Sequence, residues 1–560
     1  SNPCNSILTY IHRLNRNFGW KFLVLLTSAY FGVKGVLLNL IQLASLPYYK
    51  KLGVSGRDYQ VFSIVSTAPW AMKAMIGAVS DAVPLLGWHK ASYIFASSLA
   101  GAVGLLLLAA APLSAPVAAC CLLAANLQIA VVDLLVEAKY AQLMQETPAS
   151  GADMVTWVWM MTQAGALVAA CLVGPLSDAG AAPLIFGLGL PLAAQVLVPV
   201  AAGYLHDLRL PQGERGVRWD KLWTHPKLFA LAAAMAAAAF TQALVLLAGV
   251  AVSAQLIYSL AAAAVLCVLS WLCLPRGLAI CTLFLFLDAA TYVRISGGLD
   301  YWFTAGPECA PGGPAFDYTY YSTYTQIAGA VASWVGVVLF QAVMAKWRLR
   351  TIFWTTTLIR VAASLFDVAL VQRWNLAIGI SDKAAYMLGD AVIDNLCGML
   401  AFMPSVLLTS KLCPRELEAT AYALLAGFQN FGSQVARAIG VGLMSAFDIR
   451  TEVPCEWSGL PGLVVTSHMV IPLVMLPLTF LMLPDLSPQD DLIRETALEL
   501  LSSVPDSSSS EPKSDLGAEM NPTSAGHMQP ARSSPVRSGS DISDVDTDTR
   551  PLVMHVDEGA

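Results

Sequence analysis

The chain has 560 residues, of which 56% are hydrophobic and only 12% charged. A soluble core of this length could not hide so much apolar surface, so the composition excludes a soluble protein and indicates an integral membrane protein embedded in a lipid bilayer. The net charge of -6 adds little, because much of it lies in the C-terminal tail, and we expect no nucleic-acid partner.

The N-terminal segment 1-20 contains "CNSILTYIHRLNRNF", in which Ile7, Ile11, Leu14 and Phe18 share one helical face. This pattern is typical of a helix that lies in the headgroup layer. Apolar stretches long enough to cross a hydrocarbon layer of about 30 Å then recur along most of the chain. About fourteen are predicted, at 22–48, 59–82, 91–113, 116–144, 152–177, 181–205, 227–249, 251–275, 277–303, 319–345, 350–372, 383–411, 416–446 and 463–484.

The arrangement of these spans predicts the architecture. A polar stretch at 206-226 follows the sixth span and separates an N-terminal six-helix bundle, 21-205, from a hydrophobic hairpin, 227-275, and a C-terminal six-helix bundle, 276-485. This layout indicates an all-α polytopic membrane protein of major facilitator type, with an extra central helical hairpin. Residues 486-560 become rich in Ser, Pro and Asp, and we expect a mostly disordered tail.

Basic residues predict the orientation. Odd-to-even counting places more of them on one side, which the positive-inside bias assigns to the cytoplasm together with both termini and the linker 206-226. The richer side carries Arg13, Arg16, Lys90, Lys139, Arg209, Arg215, Arg218, Lys221, Arg276, Lys346, Arg348, Arg350, Lys411 and Arg415, and the other carries Lys50, Lys51, Arg57, Arg373, Lys383 and Arg450. We expect a multi-pass protein of the plasma membrane.

Two of the eleven cysteines fall in the longer predicted outside loops, namely Cys309 and Cys455. An oxidising location would favour a disulfide between these loops. The alternative is two free loop thiols.

The stretch "PWAMKAMIGAVSDAVPLLGWHK" at 69–90 joins the second and third spans. Major facilitator proteins carry a glycine, an aspartate, a second glycine and bases at this turn, and Gly77, Asp81, Gly87 and Lys90 occupy those roles. The glycines permit close helix contact, and the acid and base can latch the cytoplasmic side. At the end of the fifth span, Asp178 is a candidate for the outer gate.

Two longer motifs give a specific resemblance. The same stretch at 69–90, together with "SKLCPRELEATAYALLAGFQNFG" at 410–432, resembles the folate-biopterin transporter family, and "DLLVEAKYA" at 133–141 is similar to it as well. The resemblance covers roughly residues 20 to 485. It implies a secondary active transporter that imports folates, pterins or, in some members, S-adenosylmethionine by alternating access, often with proton coupling.

Ionisable residues inside the spans are the candidates for that activity, because each is costly unless it is partnered or wet. Lys34 lies near the middle of the first helix, and Lys73 lies about 12 Å from the cytoplasmic edge of the second. Both could approach one central cavity and bind substrate. Alternatively, each snorkels or neutralises an internal acid.

Two carboxylate pairs have helical i, i+4 spacing and therefore share a helix face. Asp133 and Glu137 lie on the fourth span, and Asp390 and Asp394 lie on its symmetry-related mate. We predict proton coupling for the first pair and substrate binding for the second, since paired carboxylates gain proton affinity. The alternative for both is a structural ion pair, with Lys139 neutralising Glu137.

In the C-terminal half, Arg294 and Arg360 supply positive charge and Asp288 is a nearby acid. A pterin ring offers an amino group and a ring N–H that a carboxylate can accept together, while a folate glutamate tail needs Lys or Arg. We therefore expect these three residues to bind substrate. A cationic S-adenosylmethionine would instead favour the acids and aromatic residues.

Other functions have weaker support in the sequence. No HExxH, GxSxG or P-loop motif is present, and the seven histidines are scattered, so we predict no enzyme activity, no metal site and no cofactor. A receptor or scaffold is the remaining alternative, but it would have little reason to carry buried charges in both halves.

Overall fold

A computed structural model describes residues 3–483 apart from 147–150, 208, 212, 214, 220–222, 224–225, 345 and 413–417. The predicted tail from 486 onward lies outside the described residues. The described part is mostly helical and has no strands, and it contains thirteen segments long and apolar enough to cross a membrane. The prediction of an all-α, multi-pass membrane protein is confirmed.

We number the helices in chain order. Helix α1 spans Pro3–Phe18 and precedes the candidate membrane spans. The spans are α2 (Trp20–Lys51), α3 (Gly56–Ala82), α4 (Ala91–Ala110), α5 (Ala115–Met144), α6 (Asp153–Asp178), α7 (Ala182–Ala201), α8 (Pro226–Leu247), α9 (Val252–Cys273), α10 (Arg276–Phe303), α11 (Thr319–Met344), α12 (Leu349–Val371), α13 (Asp382–Ser405) and α15 (Leu460–Met482). Helix α14, Glu418–Ala446, lies between the last two and corresponds to the predicted span 416–446.

Helix α1 is attached to the start of α6. Arg13 makes a two-point ion pair with the Asp153 carboxylate, at 2.6 and 2.8 Å, and Tyr10 donates its hydroxyl to the Asp153 carbonyl at 2.7 Å. Burial and the Asp153 charge raise the pKa of Tyr10 to about 12. These contacts hold the amphipathic helix beside the first bundle of spans.

The spans pack around several apolar cores. Helices α2 and α4–α7 share the largest core. The hairpin formed by α8 and α9 packs on α3 and α14, and α9 also contacts α10. The hairpin therefore lies beside helices from both ends of the chain.

Several spans depart from regular α-helix where ionisable residues occur. Helix α2 contains a π-helical segment, Ser28–Leu37, that includes Lys34, and α13 contains another, Met387–Asp394. Helix α15 has a third, Val465–Val470, and α10 is interrupted between Tyr292 and Ile295. Such interruptions free backbone groups or shift the helix face, and they occur often at functional sites.

We name the two ends of the helix bundle the disulfide end and the linker end. The disulfide end holds the connections 52–55, 179–181, 304–318 and 447–459, and the linker end holds 83–90 and 202–207. At the disulfide end, Cys309 and Cys455 form a disulfide with their Cα atoms 5.2 Å apart, and Trp457 donates its indole N–H to the Cys309 carbonyl at 2.9 Å. The bond joins the α10–α11 and α14–α15 loops.

Replacing Cys309 by Ser should lower the stability of the folded protein. The disulfide spans 146 residues, and removing one that closes a long loop costs about 2–4 kcal/mol. We expect a lower apparent Tm in detergent, measured by size-exclusion chromatography after heating. Cys171→Ser removes an exposed free thiol and should leave the Tm unchanged. Equal melting of the Cys309→Ser variant and the unaltered protein would contradict a stabilising role.

Candidate functional site

The N-terminal half contains one buried charge cluster. The Asp133 carboxylate, on α5, binds two ammonium groups, Lys34 Nζ from α2 at 2.8 Å and Lys73 Nζ from α3 at 2.5 Å. Its side chain is only 1% exposed, and Lys73 is also buried. Since one acid neutralises one of two cations, the trio keeps a net positive charge within the membrane-spanning helices.

Aromatic groups surround this trio. Lys73 Nζ lies 4.6 Å from the centre of the Trp70 ring, and the Trp70 indole donates to Asn126 at 3.0 Å. Such a cation–π contact partly replaces lost hydration. One helical turn beyond Asp133, Glu137 accepts a hydrogen bond from the Tyr140 hydroxyl at 3.2 Å. Lys139 donates to Gln142, not to Glu137.

The C-terminal half presents its charges around the interruption of α10. Tyr292 and Arg294 lie in this interruption. The freed backbone is satisfied by Gln60 of α3, whose Nε2 donates to the Arg294 carbonyl at 2.7 Å and whose Oε1 accepts from the Gly297 N–H at 3.0 Å. A polar side chain of one half therefore completes the backbone of the other.

Tyr292 organises the side chains around it. The Arg360 guanidinium lies 3.5 Å from the centre of its ring, and His468 stacks on the ring at 5.2 Å between centroids, with planes 7° apart. The Tyr292 hydroxyl donates to Asp394 at 3.4 Å, and His468 Nδ1 lies 3.4 Å from the Asp367 carboxylate. Helices α10, α12, α13 and α15 each contribute to this group.

A cavity of about 440 Å³ opens beside this group. Four of the seven residues predicted to bind substrate line it: Asp288, Arg294, Arg360 and Asp394. Asn395, Gln429, Asn430 and Ser405 add neutral hydrogen-bonding groups. Its volume lies within the range of about 300–1,000 Å³ usual for small-molecule sites. A site with two guanidinium and two carboxylate groups can bind a ligand that carries both acidic groups and paired N–H donors.

The other predicted substrate residues lie elsewhere. Lys34 and Lys73 belong to the Asp133 trio, and Asp390 lies one helical turn from Asp394, outside the lining of the cavity. Sequence reasoning missed Gln60 and His468 as site residues. Their signal was present, because each is a polar residue inside an apolar span.

A second, larger cavity of about 660 Å³ contains none of the predicted site residues. It lies between α1, α2 and α6, and its lining is mostly apolar, with Trp20, Val24 and Trp157 among its residues. Because it lacks charged lining groups, we do not assign the substrate to it.

At the disulfide end, Asp178 joins two helices that are far apart in sequence. Its carboxylate accepts from the backbone N–H groups of Tyr318 and Thr319, both at 2.7 Å, and from the Thr319 hydroxyl at 2.5 Å. These amides lie at the start of α11, where the helix leaves N–H groups unpaired. The contact ties the end of α6 to the start of α11.

The linker end carries the other predicted gating residues, Gly77, Asp81, Gly87 and Lys90. Gly87 has φ of +86°, a conformation that favours glycine. The loop is held by linker residues: the Asp207 carboxylate accepts from the backbone N–H groups of Lys90 and Ala91 at 2.9 and 3.0 Å. Asp81 and Lys90 border a small cavity of about 300 Å³ together with Asp207. Sequence reasoning missed this role of the linker.

Comparison with known proteins identifies the family of the chain. The model of the BT1 family matches residues 34–498. A protein of Synechocystis named "Folate-biopterin transporter" is 28% identical over 474 residues, covering 84% of this chain and 83% of the relative. An Arabidopsis thaliana protein, "Probable folate-biopterin transporter 2", is 24% identical over 456 residues, covering 80% and 81%.

Among solved structures, a POT family transporter in complex with 5-aminolevulinic acid superposes with a TM-score of 0.57 at 13% identity, covering 82% of this chain and 94% of the other. This similarity establishes the major facilitator fold. The relatives are transporters by name, and the chain is a multi-pass membrane transporter and not an enzyme, as its sequence predicted. Because the family match extends over most of the chain, the protein belongs to the BT1 family.

Proposed function

We propose that the protein imports folate or pterin compounds across a membrane by alternating access, coupled to protons. The observation that carries the proposal is the cavity in which Arg294 and Arg360 lie together with Asp288 and Asp394. The names of the relatives from Synechocystis and Arabidopsis thaliana support the same substrate class.

The charges of the cavity match the two ends of a folate. Arg360 and Arg294 would bind the carboxylates of the glutamate tail, and Asp288 or Asp394 would accept the amino group and ring N–H of the pterin in a two-point pairing. Tyr292 offers a ring face beside them. Lys34 and Lys73 would act from the N-terminal half, where their net positive charge attracts an anionic substrate.

S-adenosylmethionine is the second candidate. The cavity contains as many acids as arginines, and Asp288 and Asp394 with Tyr292 would suit a sulfonium cation. This substrate has a single carboxylate, so one of the two arginines would have no role in binding it.

Alternating access would require the disulfide end to open. Here Gly56 and Gly297 approach so closely that a Cβ on either would collide with the backbone of the other, and Lys50 Nζ donates to the Thr304 carbonyl at 2.7 Å. Asp178 of α6, bound to α11, and Gln60 of α3, bound to α10, add further links between the halves. We propose that these contacts form the outer gate, with Asp81, Gly77, Gly87 and Lys90 at the cytoplasmic gate.

Replacing Gln60 by Leu should weaken the closed gate. The side chain loses three hydrogen bonds to α10 and α14 backbone, worth about 1 kcal/mol each, so the open form should gain up to about 100-fold in population. Ala438 lies in an apolar cluster formed by α3, α5, α8 and α14. A cysteine at this position should then react faster with a membrane-impermeant thiol reagent, as measured by mass spectrometry of the peptide.

The matched control is Gln255→Leu. Gln255 is also buried, but it bonds only within the hairpin, to the Val250 carbonyl at 2.8 Å. This variant should leave labelling at position 438 unchanged. Equal labelling in both variants would show that Gln60 does not hold the gate.

The coupling, topology and location complete the proposal. Glu137, with Tyr140 as its hydrogen-bond partner, is the carrier of the coupled proton that the sequence predicts beside Asp133, and the acids of the C-terminal half are the rival site. The proposal keeps the division of the chain predicted from the sequence: an N-terminal bundle 21-205, a linker 206-226, a hairpin 227-275 and a C-terminal bundle 276-485. Both termini would lie in the cytoplasm, and the protein would lie in the plasma membrane. The excess of bases at the linker end supports this orientation.

The deciding experiment is uptake of radiolabelled folic acid, biopterin and S-adenosylmethionine by cells without their own carriers, at about pH 5.5 and about pH 7.5. Saturable folate or pterin uptake that is faster in acid is the expected result. Uptake of S-adenosylmethionine alone would replace the substrate and the roles of the arginines. Uptake of none of the three compounds would overturn the proposed function.

A further inference from the structure

Six buried side-chain polar atoms in the described part of the C-terminal half have no hydrogen-bond partner, and two of them belong to ionisable groups near the cavity. They are Nε of Arg360 on α12 and Oδ2 of Asp390 on α13. A buried polar atom without a partner costs free energy. At a carboxylate oxygen, that cost falls if the group takes up a proton, because the neutral acid is less costly to bury than the anion.

The Asp390 carboxyl group has a second acid as its neighbour. It interacts directly with Asp367, which lies on the last turns of α12, and Asp394 and Asp300 add negative charge from farther away. Asp367 in turn lies 3.4 Å from His468 Nδ1, and the two side chains are 14% and 10% exposed. The remaining titratable groups that face Asp390 are the hydroxyls of Tyr386 and Tyr320.

The charges around the acid pair show that these acids cannot all be ionised at low cost. Asp390 faces three other acids, Asp367, Asp394 and Asp300. The guanidinium groups lie nearer to other acids: Arg360 faces Asp288 and Asp394, and Arg294, with Arg437 beside it, faces Asp394. The base beside the pair is His468, 3.4 Å from Asp367. Like charges in such a place share a proton.

Local backbone geometry marks the same residues. Asp390 lies in the π-helical segment of α13, and His468 lies in that of α15. Segments of this kind recur at functional sites because they turn a side chain out of the regular helical register. Asp133, by contrast, lies between the ammonium groups of Lys34 and Lys73, and both ion pairs require its charged form.

We propose that Asp367 and Asp390 share the coupled proton and that His468 exchanges it with the substrate cavity. This proposal rests on the proposed function. A proton on the acid pair removes negative charge from the surroundings of Arg360, so its guanidinium, which lines the cavity, can bind a substrate carboxylate. Loss of the proton restores the competing charge and favours release. Proton and anionic substrate would thus bind together.

The transport test compares Asp390→Asn and Asp367→Asn with the unaltered protein. We expect the ratio of uptake at about pH 5.5 to that at about pH 7.5 to fall to about 1, while exchange of labelled for unlabelled substrate across the membrane stays within about threefold of normal. His468→Gln should shift the pH profile of uptake. Asp317→Asn, which removes a surface acid paired with Lys383 in the same half, should change neither quantity.

A second measurement does not depend on the substrate. Infrared spectra of the purified protein at about pH 7.5 should show the C=O stretch of a protonated carboxylic acid that disappears in Asp390→Asn and persists in Asp317→Asn. If the unaltered protein takes up none of the three compounds, the proposed function fails and this band alone decides whether the acid pair holds a proton. The proposal would be overturned if the band persisted in Asp390→Asn, whether or not that variant also lost exchange.

Discussion

Asp133→Asn should reduce uptake to background and destabilise the protein. The substitution removes the carboxylate that the ammonium groups of Lys34 and Lys73 share, whose side chain is only 1% exposed. Removing one partner from a buried ion pair costs about 3–5 kcal/mol, because the remaining charge stays buried. We expect a lower Tm in detergent and less protein at the membrane. Uptake is then expressed per molecule at the membrane, so that loss of protein is separated from loss of transport.

A double variant separates the structural role of the trio from its role in transport. Asp133→Asn combined with Lys73→Met restores the original net charge of the trio, so the Tm should recover while uptake stays low. Lys73→Ala alone should reduce uptake with expression preserved. The matched control is Asp58→Asn, since Asp58 is an exposed acid in the same half, 3.6 Å from Arg57. Normal uptake by Asp133→Asn would remove the trio from the transport path.

Arg360→Gln should raise the KM for folate about 100-fold, which corresponds to about 2.7 kcal/mol. Its guanidinium lies 3.5 Å from the centre of the Tyr292 ring and lines the cavity, so the variant loses both the charge and the stacking. Arg360→Lys should recover only part of the affinity, because an ammonium group lacks the planar fork that binds a carboxylate at two points. Concentration dependence of initial uptake rates measures both effects.

Arg450→Gln serves as the control for this loss. Arg450 is exposed and pairs with Asp448 at 2.6 Å in the α14–α15 loop. Surface pairs contribute little, so its KM should stay within about twofold of normal. If Arg360→Gln raised the KM for biopterin as much as that for folate, the guanidinium would not be the partner of the glutamate tail, which biopterin lacks.

The fold was largely predictable because hydropathy and helix length are dictated by the bilayer. The predicted spans 59–82 and 116–144 correspond to Gly56–Ala82 and Ala115–Met144. Any lipid-facing segment must satisfy its own backbone hydrogen bonds, and only helices do this within one segment.

The site was less predictable, because helix rotation decides which charges meet. The sequence indicated that Lys34 and Lys73 could approach one cavity, but not that the single carboxylate of Asp133 would bind both. Nor did it indicate the interruption of α10, since the residues Tyr292 to Ile295 contain neither glycine nor proline. Contacts such as Gln60 with α10 join residues more than 230 positions apart, beyond the reach of local patterns.

The dependence of α10 on Gln60 has a thermodynamic consequence. The carbonyl of Arg294, whose side chain lines the cavity, is bonded to a helix that would move away when the disulfide end opens. The geometry of the proposed ligand-binding residues would therefore depend on the conformational state, and by reciprocity a bound ligand would bias that state by the difference in its binding free energy between the two states. Occupancy and conformation would then be linked, so the ligand with the larger difference in affinity between the two states should be the stronger effector of domain motion, whatever its absolute affinity.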